Sequence, residues 1–251
     1  MDKTLLFDKV SFGYKKNDRV LEGVSFSLQE GSVTALMGIN GAGKSTITWL
    51  ASRILEPDDG KIQWWGRSSS DWDKNIKKRI GLLASADPLF DFLTIDDHLA
   101  YVGKLYGIDK TELRKQTQQL KSVFGLDEFQ GRLINTLSTG NRRKVGIVTT
   151  LLHSPKLLIW DEPFNALDPI ASLRLKELIK KLKHEGRTLL MTSQVIEPVE
   201  QVCDKFLLLD GKKILFDKAV ADLGDIKEQY GVHSLESLIY KIGTAKNFNH
   251  D

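Results

Sequence analysis

Short stretches of alternating apolar and polar residues fill positions 4–37, and this spacing is typical of β-strands. The apolar positions of these stretches are Leu5, Phe7 and Val10, then Val24, Phe26 and Leu28, then the run SVTALM. The spacing next becomes that of an amphipathic helix, with apolar residues at Ile47, Leu50, Ala51 and Ile54. Pro57 and the turn Asp58-Asp59-Gly60 end this helix.

Further along the chain, the pattern predicts two more strands, KIQWW and RIGLL, before it becomes helical over residues 88–152. Strands return as KLLIW, TLLMTS, KFLLL and KKILF, the last two joined by a turn at Asp210-Gly211. The helix ASLRLKELIKKLKHEG, closed by Gly186, separates KLLIW from TLLMTS. A strand–helix–strand crossover of this length predicts a parallel α/β sheet, with a helical lobe inserted into it.

Composition narrows the cellular setting. With 41% hydrophobic and 27% charged residues in 251, the chain has an ordinary globular composition, and its net charge of +3 gives no indication of nucleic-acid binding. Its single cysteine, Cys203, rules out an intrachain disulfide. The N-terminus lacks a signal-peptide pattern, and no apolar run approaches the ~18 residues that cross a bilayer. We therefore expect a cytosolic chain that meets membranes only through a partner.

The segment GINGAGKS between a predicted strand and a predicted helix matches the pattern of a phosphate-binding loop. Its glycines let backbone amides converge at a helix N-terminus, where anionic oxygens bind. We expect Lys44 to reach the β- and γ-phosphates and the Ser45 hydroxyl to ligate Mg²⁺. The predicted nucleotide-binding residues of this segment are Gly38, Ile39, Asn40, Gly41, Ala42, Gly43, Lys44, Ser45 and Thr46. The alternative is a glycine-rich turn without a ligand.

Asp161 and Glu162 follow the apolar run LLIW, at the strand end where α/β sheets bind ligands. Adjacent strand residues point to opposite sides, so the two acids need not have the same function. Asp161 suits Mg²⁺, and Glu162 suits a general base that activates water. The alternative is a pair of solvated acids in a turn before Pro163. The sequence thus predicts a magnesium-dependent nucleotide hydrolase in which Lys44 and Glu162 are catalytic.

Two more segments indicate a particular protein family. LSTGN at Leu137–Asn141 and NALD at Asn165–Asp168, together with the phosphate loop and WDEP, resemble the motifs of the ATP-binding cassette (ABC) family over nearly the whole chain. The resemblance implies that Tyr14 stacks on adenine and that Ser138 and Gly140 contact the γ-phosphate of an ATP held by a second subunit, in a head-to-tail dimer. Taken alone, the segment would favour an ordinary helix N-cap at Ser138, and only its combination with the other motifs favours the signature of the family.

The family resemblance also implies the fold and the partners. We expect a P-loop NTPase core with a mostly parallel sheet, N-terminal antiparallel strands and an inserted α-helical subdomain. The expected division is a core at about 1–87 and 153–216, a helical subdomain at about 88–152 and a C-terminal helical tail at about 217–251. The chain would bind ATP and Mg²⁺, pair with a second ATPase subunit and energise a separate transmembrane permease at the inner face of the cell membrane, without binding nucleic acid.

The helical lobe resembles that of subunits serving drug, antibiotic and peptide exporters. The segment PLFDFLTIDDHLAYVGKLYG carries this likeness, and SLESLIYKIG (Ser234 to Gly243) resembles the short C-terminal helix found in such subunits. A plain packing helix or a solvated face explains the tail equally well. The transported molecule, and whether the second subunit is another copy of this chain, are not indicated by the sequence.

The chain departs from the family pattern at two positions. Gln194 stands where the family has a histidine that contacts the γ-phosphate, and Ser85 stands where it has a glutamine that touches Mg²⁺ or the attacking water. The Gln194 amide can still donate a hydrogen bond but carries no charge. We therefore expect Gln194 to be a catalytic residue, in an ATP hydrolase with a lower turnover rate than that of cassettes with the histidine. Ser85 is shorter than glutamine, and we expect water to fill the resulting gap.

Two other functions stay open. One is a soluble ATP-gated clamp like those of translation and DNA repair, although the second cassette or long coiled coil typical of those proteins does not fit in 251 residues. The other is a regulatory cassette that switches conformation with little hydrolysis, which Ser85 and Gln194 keep open.

Overall fold

The computed structural model describes residues 3–15, 18–85, 88–194, 196–233, 237–238 and 240–241. In these ranges the strands are β1 (Lys3–Lys15), β2 (Asp18–Gln29), β3 (Val33–Met37), β4 (Asp59–Trp64), β5 (Ile80–Leu83), β6 (Leu157–Trp160), β7 (Thr188–Thr192), β8 (Lys205–Asp210) and β9 (Lys213–Ala219). The helices are α1 (Lys44–Ala51), α2 (Lys74–Lys78), α3 (Ile95–Tyr106), α4 (Lys110–Phe124), α5 (Thr139–Leu151), α6 (Pro169–His184), α7 (Ile196–Val202) and α8 (Leu223–Gln229). Single 3₁₀ turns occur at Ser69–Asp71, Leu126–Phe129, Ile134–Thr136 and Val220–Asp222.

The strands form two sheets. The larger has the order β5-β6-β7-β3-β8-β9, and all its neighbouring pairs are parallel except the β8–β9 hairpin. The smaller is antiparallel with the order β2-β1-β4. Every residue of β3, β6 and β7 is buried, as expected for parallel strands covered on both faces. The predicted α/β fold class, with its mostly parallel sheet and antiparallel N-terminal strands, is confirmed.

Apolar side chains of the larger sheet alternate between two hydrophobic cores. In β6, Leu158 and Trp160 face the core shared with α3, α5 and α6, whereas Leu157 and Ile159 face the core shared with α1 and the smaller sheet. Trp160 is fully buried in the first core, and its Nε1 donates to Thr150 Oγ1 at 3.1 Å. Asp161 follows directly, at the carboxyl end of β6.

Three helices, α3, α4 and α5, occupy the range in which the sequence predicts the helical lobe. Side-chain caps fix where two of them start: Thr94 accepts the amide of Asp97 at 3.1 Å, and Asp109 accepts that of Thr111 at 2.8 Å. Gly107 ends α3 in the left-handed region, with φ of 72°. None of the helices in the described ranges has both the length and the apolar character that a bilayer crossing requires.

Two details concern the C-terminal third. The β8–β9 turn consists of Gly211 and Lys212, both with positive φ, while Asp210 pairs with Lys213. The predicted turn at Asp210-Gly211 is therefore wrong by one residue, because a two-residue turn of this type needs left-handed backbone at both central positions. The predicted tail helix at 234–243 lies mostly outside the described residues.

Candidate functional site

The phosphate-loop segment connects the end of β3 to the start of α1. Gly43 is the N-cap of α1 with φ of 105°, and a Cβ there would lie 3.1 Å from the side chains of Val20 and Leu21. A Cβ at Gly38 would overlap the carbonyl oxygen of Leu209 on β8. Glycine is therefore required at both positions, by backbone conformation at Gly43 and by close approach at Gly38. The glycine-rich turn is thus held between β2 and β8 with its amides at a helix start.

The remaining loop residues differ in exposure. Ile39 is 57% exposed, Asn40 is exposed, and Thr46 is buried. The amide of Ala42 donates to the Ile39 carbonyl at 3.2 Å, which closes the loop into a turn around Gly41. Ile39 and Asn40 are thus open to solvent, whereas Thr46, in the first turn of α1, is buried in the protein.

Lys44 lies across the mouth of this loop. Its Nζ donates to the carbonyl oxygens of Gly38 at 2.8 Å and Ile39 at 3.1 Å, and the residue is 8% exposed. Burial lowers the pKa of the Lys44 ammonium, while the carboxylates of Glu162 and Asp161 oppose that change. A partly desolvated cation beside a helix N-terminus is an arrangement that favours an anionic ligand.

The buried Asp161 carboxylate accepts hydrogen bonds from three hydroxyl groups. Ser45 Oγ, at the start of α1, donates to Oδ2 at 2.8 Å, and Ser85 Oγ donates to the same oxygen. Thr192 Oγ1, at the end of β7, donates to Oδ1 at 2.5 Å. The strand order explains this meeting, because β6 lies between β5, which precedes Ser85, and β7. Ser45 and Asp161, the predicted metal ligands, are therefore in direct contact.

Ser85 is closer to the site than its length suggests. The Ser85 hydroxyl contacts the Asp161 carboxylate directly, while the water predicted to fill the gap between Ser85 and the magnesium ion or the attacking water stays a prediction. The cause is backbone proximity: the Asp161 amide donates to the Leu83 carbonyl at 2.8 Å, which brings the residues after β5 beside the end of β6.

Glu162 has an unusual backbone and a partly unsatisfied side chain. Its φ of 50° lies in the left-handed region, a conformation that costs a non-glycine residue about 1–3 kcal/mol. Its Oε2 accepts the backbone amide of Gln194 at 3.2 Å, whereas Oε1 is buried without a hydrogen-bond partner among the described residues. A buried carboxylate oxygen that lacks a donor can accept a hydrogen bond, and then a proton, from water.

Sequence reasoning missed Arg143. This residue of α5 is 5% exposed, and its Nη1 donates to the carbonyl oxygen of Ala84 at 2.8 Å. Its Nη2 donates to the carbonyl oxygens of Asp161 and, at 2.9 Å, Glu162. In the run Arg142-Arg143-Lys144 no local pattern distinguishes the buried cation from its neighbours. Thr192 was missed too, because an isolated threonine at a strand end is ordinary.

The predicted signature segment starts α5 and touches the NALD segment. Ser138 is the N-cap, with Oγ accepting the Asn141 amide at 3.3 Å. A Cβ added to Gly140 would lie 2.5 Å from the carbonyl oxygen of Ala166, so these two segments are packed backbone to backbone. The capping role that the sequence left open for Ser138 is therefore present. The cap occupies the Asn141 amide, and the other amides of the first turn have no acceptor within the helix.

Tyr14 lies at the end of β1, beside the start of α1. Its hydroxyl is 3.2 Å from Thr46 Oγ1, Phe12 meets its ring edge-on at 5.1 Å, and the residue is 54% exposed. The hydroxyl is thus fixed near the phosphate loop while part of the ring remains open to solvent.

Comparison with known proteins decides what this arrangement is. The sequence model of the family described as ABC transporter matches residues 21–165, more than half of the chain. The chain belongs to the ABC transporter family. It is 32% identical to the ABC transporter ATP-binding protein NatA of Bacillus subtilis (strain 168), over 83% of this chain and 85% of NatA. It is 31% identical to the lantibiotic transport ATP-binding protein SrtF of Streptococcus pyogenes, over 88% of this chain and 93% of SrtF.

A solved structure agrees with the sequence comparisons. The ATP-binding subunit of an ABC transporter is similar to this chain with a TM-score of 0.85 and 30% identity, covering 96% of this chain and 99% of that one. The chain is accordingly an ABC transporter ATP-binding subunit and an ATP hydrolase of that family. The resemblance inferred from the sequence motifs is confirmed, while the roles assigned to single residues stay predictions.

Proposed function

We propose that this ABC subunit hydrolyses magnesium-bound ATP with Glu162 as general base, acts as one of two paired cassettes, and energises a separate permease that exports a drug, an antibiotic or a peptide. The observation that carries the proposal is the Glu162 side chain. One carboxylate oxygen is held by the Gln194 amide, and the other is buried without a partner among the described residues, beside the phosphate loop and Asp161.

The triphosphate would lie against the amides of the 38–45 loop, with Lys44 beside the β- and γ-phosphates. The exposed ring of Tyr14 supports stacking of the adenine next to the start of α1. Lys44 already donates to two loop carbonyls, so binding needs only an exchange of acceptors rather than a movement of the whole side chain.

The donor set at the end of β6 fits a magnesium ion. The Ser45 hydroxyl and the Asp161 carboxylate are hard oxygen donors in contact with each other, and Mg²⁺ prefers one or two protein oxygens together with phosphate oxygens and water. When bound, the ion would neutralise charge on the phosphates and polarise the γ-phosphoryl group. Asp161 is kept in place by Thr192, which donates to the oxygen that Ser45 does not use.

Glu162 would orient a water molecule and accept its proton as that water attacks the γ-phosphate. Gln194 would donate its side-chain amide to the γ-phosphate from the end of β7. Because this donor is neutral and Ser85 replaces a longer side chain, we propose that turnover is slow.

The second cassette would close the site. Ser138 is the N-cap of α5 and Gly140 lies in its first turn, and a helix start of this kind favours an anion. A head-to-tail pair would bring this start onto an ATP held by the other subunit, which explains why one chain carries two anion-binding helix starts.

An aromatic patch supports contact with a permease. Phe92, Leu105, Tyr101 and Phe90 are 73%, 65%, 46% and 36% exposed, and Phe90 packs edge-on against Tyr101 at 5.2 Å. Exposed aromatic clusters of this kind mark protein contacts. Asp91, within the patch, pairs with Arg142 of α5 at 2.6 Å, so a partner bound there would be linked to the signature helix. Docking on a permease would keep the chain at the inner face of the cell membrane.

Similarity to SrtF, named for lantibiotic transport, supports the export class. Purification of the chain from membranes together with a permease tests this part of the proposal. Replacing Phe92 and Leu105 by serine should release the chain from the membrane fraction without changing its ATP affinity, and retention of the double variant with the membranes would count against the patch.

The test of the base is Glu162→Gln, which keeps the shape of the side chain and removes its basicity. The variant should bind ATP with magnesium and pair stably, yet turn over at less than about one hundredth of the original rate, since a positioned base contributes ~10²–10⁴-fold. Continued turnover would remove Glu162 from this role. Loss of ATP binding in a folded variant would point to misassembly of the site instead. Undetectable turnover in the unsubstituted chain would favour a regulatory cassette.

A further inference from the structure

Side chains form hydrogen bonds with both polar groups of the Asp161–Glu162 peptide, its carbonyl oxygen and its amide. Arg143 Nη2 donates to its carbonyl oxygen, on Asp161, and Thr192 Oγ1 accepts its amide, on Glu162, at 2.8 Å. The same Arg143 nitrogen also donates to the carbonyl of the next peptide, on Glu162, at 2.9 Å. Both peptide units flanking the Glu162 side chain are therefore fixed by side chains from other elements, α5 and β7.

These hydrogen bonds hold a strained part of the backbone. Glu162 has φ of 50°, and a non-glycine residue keeps such a conformation only where its surroundings impose it. Without the two donors and the acceptor, the peptide would relax toward an ordinary turn and swing the carboxylate away from its present position. Burying a guanidinium is costly unless it is hydrogen-bonded, and Arg143 meets that need with backbone carbonyls.

We propose that Arg143 and Thr192 are positioning residues, which hold the strained Asp161–Glu162 peptide so that Glu162 Oε1 is directed at the attacking water. This inference rests on the proposed role of Glu162 as base. The guanidinium suits the task because its rigid fork spans two directions: Nη1 reaches Ala84 while Nη2 binds the acidic pair. Arg143 thereby also joins α5, the helix begun by Ser138, to the base.

Four variants separate positioning from simple structural support. Arg143→Ala removes the donor to the Asp161 and Glu162 carbonyl oxygens, and Thr192→Val removes the acceptor of the Glu162 amide. Arg143→Lys keeps a cationic donor, and Thr192→Ser keeps the hydroxyl. The two removals should lower kcat by roughly 10- to 100-fold, equal to about 1.4–2.8 kcal/mol of transition-state stabilisation. For Arg143→Ala the KM for ATP should change less than about threefold, since the phosphate loop is untouched. Thr192→Val also removes the hydrogen bond to Asp161 Oδ1, so its kcat is measured at saturating magnesium and ATP.

Recovery of activity gives the readouts that a structural role would not produce. Thr192→Ser should retain most of kcat, and Arg143→Lys should be intermediate because an ammonium lacks the fork. Added methylguanidinium, at concentrations that leave the thermal unfolding midpoint unchanged, should restore part of kcat to Arg143→Ala and none to Glu162→Gln.

Matched controls remove the same chemistry elsewhere. Lys121, 7% exposed, forms an ion pair at 2.8 Å with the partly exposed Asp96 in the helical lobe, and Thr188 is a buried threonine at the other end of β7. Lys121→Ala and Thr188→Val should lower stability but leave kcat within about twofold. If either changes kcat as strongly as the test variants, general destabilisation explains the data and the proposal is wrong.

The outcomes also separate this inference from the proposed function. If Glu162→Gln abolishes turnover while Arg143→Ala and Thr192→Val keep kcat within twofold, the positioning roles fail and the base remains. If Glu162→Gln keeps turning over, the base itself fails. Should Arg143→Ala not fold, Thr192→Val against Thr192→Ser decides: equal kcat in these two variants overturns the inference.

Discussion

Replacing Gln194 by histidine restores a charge that the resemblance to other cassettes leads one to expect. Gln194 lies two residues after the end of β7 and is exposed, so an imidazole fits without displacing core side chains. Its backbone amide holds Glu162 Oε2 at 3.2 Å and is unaffected by the substitution. The change therefore alters one side-chain donor while the backbone geometry of the base is retained.

The size of the effect follows from the two kinds of hydrogen bond. A charge-assisted donor contributes ~1.5–3 kcal/mol and a neutral one ~0.5–1.5, so an imidazolium on the γ-phosphate should lower the barrier by about 1–2 kcal/mol. That difference corresponds to a rise in kcat of about 5- to 30-fold. Because imidazole titrates near pH 6.5, the gain should be larger at pH 6 than at pH 8.

Steady-state ATP turnover at saturating magnesium and ATP measures this gain. Gln201→His, which adds a histidine at an exposed position on α7, is the matched control and should leave kcat unchanged. A fall in turnover for Gln194→His would refute the charge argument. A gain that is the same at pH 6 and pH 8 would refute it too, since a neutral ring would then be responsible.

Two further predictions concern packing and pH. Gly140→Ala places a methyl group 2.5 Å from the Ala166 carbonyl oxygen and should lower the free energy of unfolding by about 1–3 kcal/mol. Gly224→Ala in α8, where the added methyl group has open space, is the control and should not lower it. Equal chemical denaturation curves for the two variants would contradict this prediction. Burial lowers the pKa of His98 to about 4. As the pH falls from about 6.5 toward 4, the imidazole becomes protonated in the unfolded chain but not in the folded chain, so the free energy of unfolding decreases across that window. His98→Gln should remove about 1–2 kcal/mol of the stability difference between pH 7 and pH 5, measured by urea unfolding, and an unchanged difference would contradict the assignment.

Local patterns in the sequence carry the fold class and the outline of the site. Alternation in Val24, Phe26 and Leu28 predicts a strand that the structure contains, and the 3.6-residue spacing after Lys44 predicts a helix that it also contains. Such features depend on residues near in sequence, and the glycine pattern of residues 38–45 is local as well. The order β5-β6-β7-β3 is not, since it joins segments separated by most of the chain.

The parts that were missed all depend on long-range contacts. Arg143 looks like a solvated helix charge until β5 and β6 bring the Ala84 and Asp161 carbonyls to it. The contact between Ser85 and Asp161 was not predicted, because it depends on the pairing of β5 with β6. Burial of a polar side chain is decided by which strands become neighbours, and a run of letters around residue 143 or 85 does not contain that information.

The position of β3 in the larger sheet has a consequence for synthesis on the ribosome. β3 pairs with β7 and β8, and Gly38 lies against the Leu209 carbonyl, so one of the two walls of the phosphate loop comes from residues translated long after it. Contacts of such separation form late, because the intervening chain must first be closed into a loop. A nascent chain that ends before Lys205 lacks β8 and should therefore have no nucleotide affinity, and ATP becomes a ligand only when most of the polypeptide has emerged.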